Sequence, residues 1–497
     1  MAKCNDATSS AAHITSAAAH ITSAAAHISV TTASAMELAR SIRTGVVTSR
    51  RVVDAHIAVL RAGHDLGAIA ANRFTQAQDE ADAADRLIGT SSADDDLPPL
   101  LGVPFTVKEA IPVAGMPFTA GMQTRRGTIS TTDARAVDRL KAAGAIVVGV
   151  TNTSELCLGI ESYNSVYGRT RNPYDPRRTA GGSSGGEGAA VGSGGVPFGL
   201  GADTGGSIRL PAFFCGVFGH KPSPGLVPSS EQIPSLTAHA GTEVDAMESI
   251  GPLARRAEDL MPLLRILSES DLPTTESVNL EGLSVIIPEG TTYFRPLSPE
   301  LKSAQDSAAQ ALSEVGANVQ RVQLTALRRS AQFYLIALRE HAGTSVSNLF
   351  DFFGETPTQS RRPSWSRTGS LQMTLTIIGD KLPELLPSSA RRKITDAGEA
   401  LAAEVQAAMG DGVILHPAFP RTAPLHNGTL ARPWLFGGAA IFNLLGLPVT
   451  QVPLGLDTRG LPLGIQVAGA AGNDHVTIRV ALELERAMGG WRPPGQA

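Results

Sequence analysis

The sequence predicts an α/β fold, and three observations carry that reading. Amphipathic helical stretches alternate with short apolar runs, and few residues separate a helix from the strand that follows it. Glycine and proline are abundant, at 51 and 32 of 497 residues, against about 12% for the pair in average proteins. Such a chain places many residues in tight turns and close backbone contacts, which suits an enzyme better than a helical bundle. At about 150 residues per domain the length allows three domains, or one large α/β enzyme domain.

The elements follow in order. Residues 9–29 repeat a seven-residue unit, roughly Ile-Thr-Ser-Ala-Ala-Ala-His, which puts His13, His20 and His27 in register. The unit offers no carboxylate or thiol beside those imidazoles and no large apolar pair to bury. Residues 1–34 therefore read as a low-complexity, disordered tail rather than a metal stripe, and the folded domain starts at 35 and runs to 497. Val53, Ile57 and Leu60 fall on one helical face behind Thr48 and Ser49 as caps. Helix-forming composition continues through 74–88. Residues 91–99, with Asp94, Asp95 and Asp96 ahead of two prolines, read as an exposed loop. Residues 100–108 form a buried strand, Asp133 caps a helix carrying Ala136, Val137 and Leu140, and 145–150 is a second apolar strand.

Residues 179–225 are crowded with glycine and show little periodicity, so neighbouring chain must approach the backbone closely there. Helix returns at 256–268. The stretch 325–400 mixes Phe333, Tyr334, Phe350 and Trp365 with prolines and arginines. It is an irregular helical insertion that either walls a hydrophobic pocket or packs as an ordinary subdomain. Near the end, the runs 447–453 and 461–467 flank Asp457-Thr458-Arg459-Gly460, a hairpin signal, and Asn473 or Asp474 opens a last helix through Met488.

Composition narrows the function classes. The chain has 42 Lys plus Arg against 46 Asp plus Glu, a formal charge of -4, which excludes a strongly basic nucleic-acid binder and a highly charged disordered chain. No run of about 18 apolar residues is present to span a bilayer, and no basic segment followed by an apolar one opens the sequence. Three cysteines, Cys4, Cys157 and Cys215, cannot all pair with one another. Free thiols and a cytoplasmic location are the expectation.

The string Gly181-Gly182-Ser183-Ser184-Gly185-Gly186 admits several chemistries. A Walker-type phosphate cradle needs Lys then Ser or Thr after its last glycine, and Glu187 stands there instead. Gly192-x-Gly194 and Gly199-x-Gly201 each lack the third glycine of a dinucleotide loop, having Pro197 and Thr204 in its place. Gly-x-Ser-x-Gly occurs twice, centred on Ser183 and on Ser184, but a hydrolase elbow also needs a later carboxylate and histidine. No local context singles out His416, His426 or His475. A second serine changes the balance: Ser207 lies in Asp203-Thr204-Gly205-Gly206-Ser207-Ile208-Arg209.

With that second serine the chain resembles the amidase signature family, whose hallmark runs from Gly-Gly-Ser-Ser-Gly-Gly to Gly-Gly-Ser-Ile-Arg. The resemblance extends to Gly102-Val103-Pro104-Phe105-Thr106-Val107-Lys108-Glu109, to the segment from Cys215 to Pro222, and to Gly460-Leu461-Pro462-Leu463-Gly464-Ile465-Gln466. It covers most of residues 36–492. In detail it is most similar to the fatty-acid amide hydrolases, especially the second vertebrate type. This rests on Val107-Lys108-Glu109-Ala110, Pro211-Ala212-Phe213-Phe214 and Pro448-Val449-Thr450-Gln451. The vertebrate enzymes carry an N-terminal membrane span where this sequence has its Ala/His/Thr/Ser repeat.

The resemblance implies an α/β/α sandwich around a central mixed sheet, with the insertion near 325–400 over an acyl pocket. It implies hydrolysis of a carboxylic amide through an acyl-enzyme, with no metal or organic cofactor. Ser207 would be the nucleophile, Ser183 a bridging hydroxyl preceded by a cis peptide, and Lys108 the base. A free lysine is charged at neutral pH, so the base role requires a buried, uncharged amine. Backbone N–H groups of Thr204, Gly205, Gly206 and Ser207 would form the oxyanion hole, and Cys157 would lie beside the substrate or else be a small core thiol. Asp203 and Arg209 would brace the loop as a buried ion pair, with Glu187 structural and Ser184 bonding within the loop. The partner would be a small amide, carbamate or ester with an apolar acyl or aryl group. The alternatives are a glutaminase subunit of a tRNA-dependent amidotransferase and a noncatalytic ligand-binding relative.

Overall fold

Strand and helix alternate through most of the chain, and the strands gather into one eleven-stranded mixed sheet. The computed structural model describes residues 29–92, 96–235, 247–268, 270–289, 296–342, 344–354, 368–381, 385–430 and 432–495. The repeat with His13, His20 and His27, and also Cys4, Asp94, Asp95 and Trp365, lie outside them.

The strands are β1 (Ile69–Asn72), β2 (Pro104–Lys108), β3 (Ile146–Thr151), β4 (Tyr163–Asn164), β5 (Gly168–Arg169), β6 (Phe198–Asp203) and β7 (Phe218–Lys221). They continue with β8 (Ser249–Ala254), β9 (Ser284–Glu289), β10 (Asn318–Gln323), β11 (Val413–His416), β12 (Val449–Leu456) and β13 (Pro462–Gly469). The sheet order is β1-β3-β2-β6-β8-β7-β12-β13-β11-β9-β10, with β4 and β5 paired apart from it. Strands β3, β2 and β6 run parallel, and Lys108 at the end of β2 stands opposite Thr151 at the end of β3.

Alternation along the strands shows that both faces are covered. Val147 and Val150 of β3 join one core cluster while Ile146 and Val148 join another, and Val285 and Ile287 of β9 separate from Ile286 in the same way. Helices Ala35–Arg43, Arg135–Ala142, Leu260–Leu267, Pro299–Glu314 and Asp474–Met488 supply the first face. Ser49–Ala62, Gly185–Gly192 and Ser388–Met409 supply the opposite one. A parallel strand buried on both sides reads as continuous apolar sequence, as β2 and β3 do.

The helix after Thr48 forms as the pattern predicts, with the Thr48 hydroxyl accepting from Arg51 N–H. Three expectations change. The strand expected at 100–108 starts only at Pro104, because Gly102 turns the chain at φ +81° and Val103 N–H closes back on Leu100. Asp133 does not cap the helix Arg135–Ala142; its carboxylate instead accepts from Ala114 N–H and pairs with Lys141. The glycine-rich stretch 179–225 is not featureless, since it builds a helix, β6, the helix Arg209–Phe214 and β7. The C-terminal hairpin and last helix stand where the pattern puts them.

Phe105 of β2 and Phe198 of β6 are buried partners in register, with rings stacked 5.2 Å apart. Phe105→Ala removes this contact and is expected to cost about 3–5 kcal/mol of unfolding free energy, measured by denaturant titration.

Candidate active site

The carboxyl ends of parallel strands are where open α/β sheets leave room for a ligand. At this edge β2 ends in Lys108 and β6 ends in Asp203, so one residue of each parallel strand enters the site. Lys108 is 1% exposed, and its Nζ lies 2.7 Å from Ser183 Oγ. The two belong to a cleft that Ser207, Thr204 and Cys157 also line.

Ser183 sits in a loop that only glycines allow. Gly181 holds φ +87°, and a Cβ at Gly182 would come within 2.5 Å of Gly159 O. The Gly182–Ser183 peptide is cis. Ser162, which sequence reasoning missed, fastens the turn: its hydroxyl donates to Ser183 O at 2.8 Å and accepts from Gly185 N–H at 2.8 Å. Nothing local to Ser162 signals this, because the contact spans more than twenty residues. Ser184, the neighbouring candidate, is turned away. Its Oγ donates to Ala202 O and accepts from Ala202 N–H, stitching the loop to β6.

Ser207 follows β6 by four residues and is half-buried on the cleft wall. Its loop is set by the predicted ion pair. Arg209 grips Asp203 with two nitrogens, Nη2 to Oδ1 at 2.9 Å and Nε to Oδ2 at 3.0 Å, and both side chains are wholly buried. Asp203 also accepts from Ile208 N–H at 2.9 Å and from Asn443 Nδ2 at 2.9 Å. Arg209 reaches on to Gln466 Oε1 and Ala439 O. Asn443 and Gln466 complete this network from more than 230 positions away, and no motif pointed to Asn443. Burial alone would raise the Asp203 pKa, but the Arg209 charge and these hydrogen bonds outweigh it and hold the carboxyl below its ordinary range.

The grouping of four backbone donors needs one correction. Gly206 N–H is already given to Asp203 Oδ1 at 2.8 Å. The N–H groups of Thr204, Gly205 and Ser207 have no acceptor among the described residues. Gly206 serves the loop by its shape: φ is +114°, and a Cβ would lie 2.6 Å from Ala439 Cβ. Gly205 admits Tyr334, whose hydroxyl donates to Thr204 O at 3.0 Å and would clash with any Cβ there.

Cys157 lines the cleft with a positive φ of +55°, its thiol 3.3 Å from Ile233 O and 3.4 Å from Thr153 Oγ1. Leu158, Ile233, Leu338, Val346 and Leu349 give the wall an apolar character. Leu338, Val346 and Leu349 come from the expected insertion. Within it Asp380 accepts from Arg339 Nη1 and from Val346 N–H, each at 2.8 Å, which draws three helical segments together beside the cleft. Glu187, expected to be structural, is buried beneath the site and accepts from the Thr106 and Thr151 hydroxyls at 2.6 and 2.8 Å.

An α/β fold thus brings a buried lysine, the serine hydroxyl it bonds and a second serine to one cleft. The amidase family model matches residues 51–478, and the chain belongs to that family of amide-hydrolysing enzymes. It is 41% identical over 483 residues to fatty-acid amide hydrolase 2-A of Danio rerio, covering 93% of this chain and 90% of the relative. It is 39% identical over 488 residues to fatty-acid amide hydrolase 2 of Homo sapiens, with the same coverage. A solved amidase crystal structure superposes with a TM-score of 0.77 at 29% identity, covering 92% of this chain and all of the other.

Asp203→Asn is expected to destabilise the protein by about 3–5 kcal/mol, because Arg209 is left buried with no counter-charge. The depressed Asp203 pKa contributes stability that is present above the ordinary carboxylate value near pH 3.9 and lost as pH falls below it. Unfolding curves from pH 7 to 3 should therefore show a shallower acid-side loss in the variant than in the parent.

Proposed function

We propose that this chain hydrolyses carboxylic amides with an apolar acyl or aryl group through an acyl-enzyme on Ser207, with carbamates and esters as further carbonyl substrates. The observation that carries the reading is the 2.7 Å hydrogen bond between Lys108 and Ser183 at a cleft that Ser207 shares. Ser207 Oγ attacks the carbonyl carbon, and its proton moves to Ser183 Oγ while the Ser183 proton moves to Lys108 Nζ. Contacts along such a chain commonly tighten when substrate binds. Backbone N–H groups of Thr204, Gly205 and Ser207 receive the oxyanion, each worth on the order of 3 kcal/mol if preorganised. Collapse expels the amine, which leaves with a proton returned through Ser183. Water then attacks the acyl-enzyme by the same route in reverse and releases the acid.

The same reading covers the rest of the chain. Residues 35–497 act as one catalytic domain, and the helices of 325–400 form the acyl wall, with Cys157 and Leu158 opposite. Cys157 and Cys215 are free thiols, which suits a cytoplasmic enzyme. Among the described residues no helix is long and apolar enough to cross a membrane, and no cluster of side chains has the make-up of a metal site.

Ser207→Ala is expected to abolish turnover of every amide and ester while the thermal unfolding midpoint stays near the parent's; retained hydrolysis would overturn the assignment. Lys108→Ala should lose amide hydrolysis far more than hydrolysis of an activated ester, by about 100-fold or more, because a good leaving group needs little proton donation. Steady-state kinetics on a matched amide and ester measure that gap. Turnover by the purified chain alone separates this reading from a glutaminase subunit that works only with partner subunits, and from a noncatalytic relative.

A further inference from the structure

Tyr334 is buried, is not among the side chains that line the cleft, and has no part in the reaction scheme above. Its hydroxyl donates to Thr204 O at 3.0 Å, and that carbonyl belongs to the same peptide unit as Gly205 N–H. The unit is trans, since the cis bonds among the described residues are Gly182–Ser183 and Ile233–Pro234. In a planar trans peptide the C=O and N–H bonds point in opposite directions. A hydroxyl fixed on the carbonyl therefore fixes the N–H as well, directed away from Tyr334, and among the described residues that N–H meets no acceptor.

Little else holds this unit. Glycines follow at 205 and 206, where backbone rotation is least hindered. Asp203 takes the N–H groups of Gly206 and Ile208, beyond the unit itself. The phenol, in contrast, is firmly placed. It stands in the helix Ser330–Ala342, its ring meets Phe436 edge to face at 5.4 Å, and it packs with Met247 and Ala440. A Cβ on residue 205 would lie 2.7 Å from its oxygen and 3.0 Å from its Cζ, so the glycine there lets the hydroxyl reach the chain. Hydrogen bonds in series also polarise one another, so a carbonyl that accepts from Tyr334 makes Gly205 N–H the stronger donor.

We propose that Tyr334 is a positioning residue for amide hydrolysis: its hydroxyl orients the Thr204–Gly205 peptide and so aims Gly205 N–H at the negative oxygen of the tetrahedral intermediate. This rests on the hydrolase reading given above. Such a role acts when the carbonyl becomes tetrahedral, so it bears on turnover and not on ground-state binding.

Tyr334→Phe keeps the ring that packs on Phe436 and removes the hydroxyl. In the full-length protein, kcat for an aryl or acyl amide is expected to fall about 10-fold with KM close to the parent's, a part of the roughly 100- to 1000-fold that a whole oxyanion donor supplies. A trifluoromethyl ketone with the same acyl group separates this from a packing role. Ser207 Oγ adds to its carbonyl carbon, the C=O electron pair moves onto oxygen and the serine proton leaves through Ser183, so the adduct carries the oxyanion. The matching secondary alcohol has no carbonyl and forms no adduct. Tyr334→Phe is expected to bind the ketone about 10-fold more weakly and the alcohol as the parent does. Gly205→Ala, which displaces the phenol from the carbonyl, should weaken the ketone selectively in the same way, and it supplies the reading if Tyr334→Phe fails to fold. Equal weakening of ketone and alcohol in the folded variants overturns the proposal, as does an unchanged ketone affinity. Ser207→Ala assayed alongside keeps the two readings apart. Loss of turnover there with an unchanged ketone affinity in Tyr334→Phe leaves the hydrolase in place and removes only the role of Tyr334, whereas turnover retained in Ser207→Ala removes the hydrolase reading itself.

Discussion

The buried pair of Asp203 and Arg209 is the constraint on which the site depends. Two opposite charges with no solvent access hold together only when nearly every donor and acceptor is met, and here helix, loop and hairpin each contribute a partner. The consequence is a loop between residues 203 and 209 with one geometry. Gly206 N–H and Ile208 N–H are given to Asp203, whereas the N–H groups of Thr204, Gly205 and Ser207 meet no acceptor among the described residues. Ser207 takes its place as a by-product of that arrangement, held by neighbours rather than by its own hydroxyl.

A second constraint comes from the sheet. Lys108 ends a strand buried along its whole length, and Phe105, three residues earlier on the same strand, stacks on Phe198 of β6. Its long side chain reaches the cleft, where Ser183 stands on a turn shaped by Gly181, Gly182 and Ser162. The strand fixes the direction of the amine and the glycine turn fixes the height of the hydroxyl, so neither residue needs a flexible search to reach the other.

Much of this was legible in sequence. The runs 100–108 and 145–150 marked β2 and β3, and helical spacing with a threonine cap marked Ser49–Ala62, because burial and capping are local requirements. Lys108, Ser183 and Ser207 stood out because their motifs, taken together, suit one chemistry and fail the demands of phosphate and dinucleotide loops. What escaped was either non-local or hidden by glycine. Ser162, Asn443 and Tyr334 act across long stretches of chain, and no spacing reveals that a hydroxyl will meet a carbonyl more than a hundred residues away. The helix Gly185–Gly192 escaped because four of its eight residues are glycine, poor helix formers that are tolerated where strands and a neighbouring helix press against them. The strand expected from residue 100 was too long because apolar character continues through a turn that only the φ of Gly102 discloses. Asp133 went to an ion pair instead of a cap.

The hydroxyl of Tyr334 on the carbonyl of Thr204 joins two parts of the molecule that otherwise divide their labour. One is the helical wall of the cleft, and the other is the loop that carries Ser207. A phenol crossing from one to the other means that the segment around 330–342 cannot be exchanged wholesale for a different specificity. Any transplanted wall must bring its own anchor for that carbonyl, and a glycine at 205 to admit it.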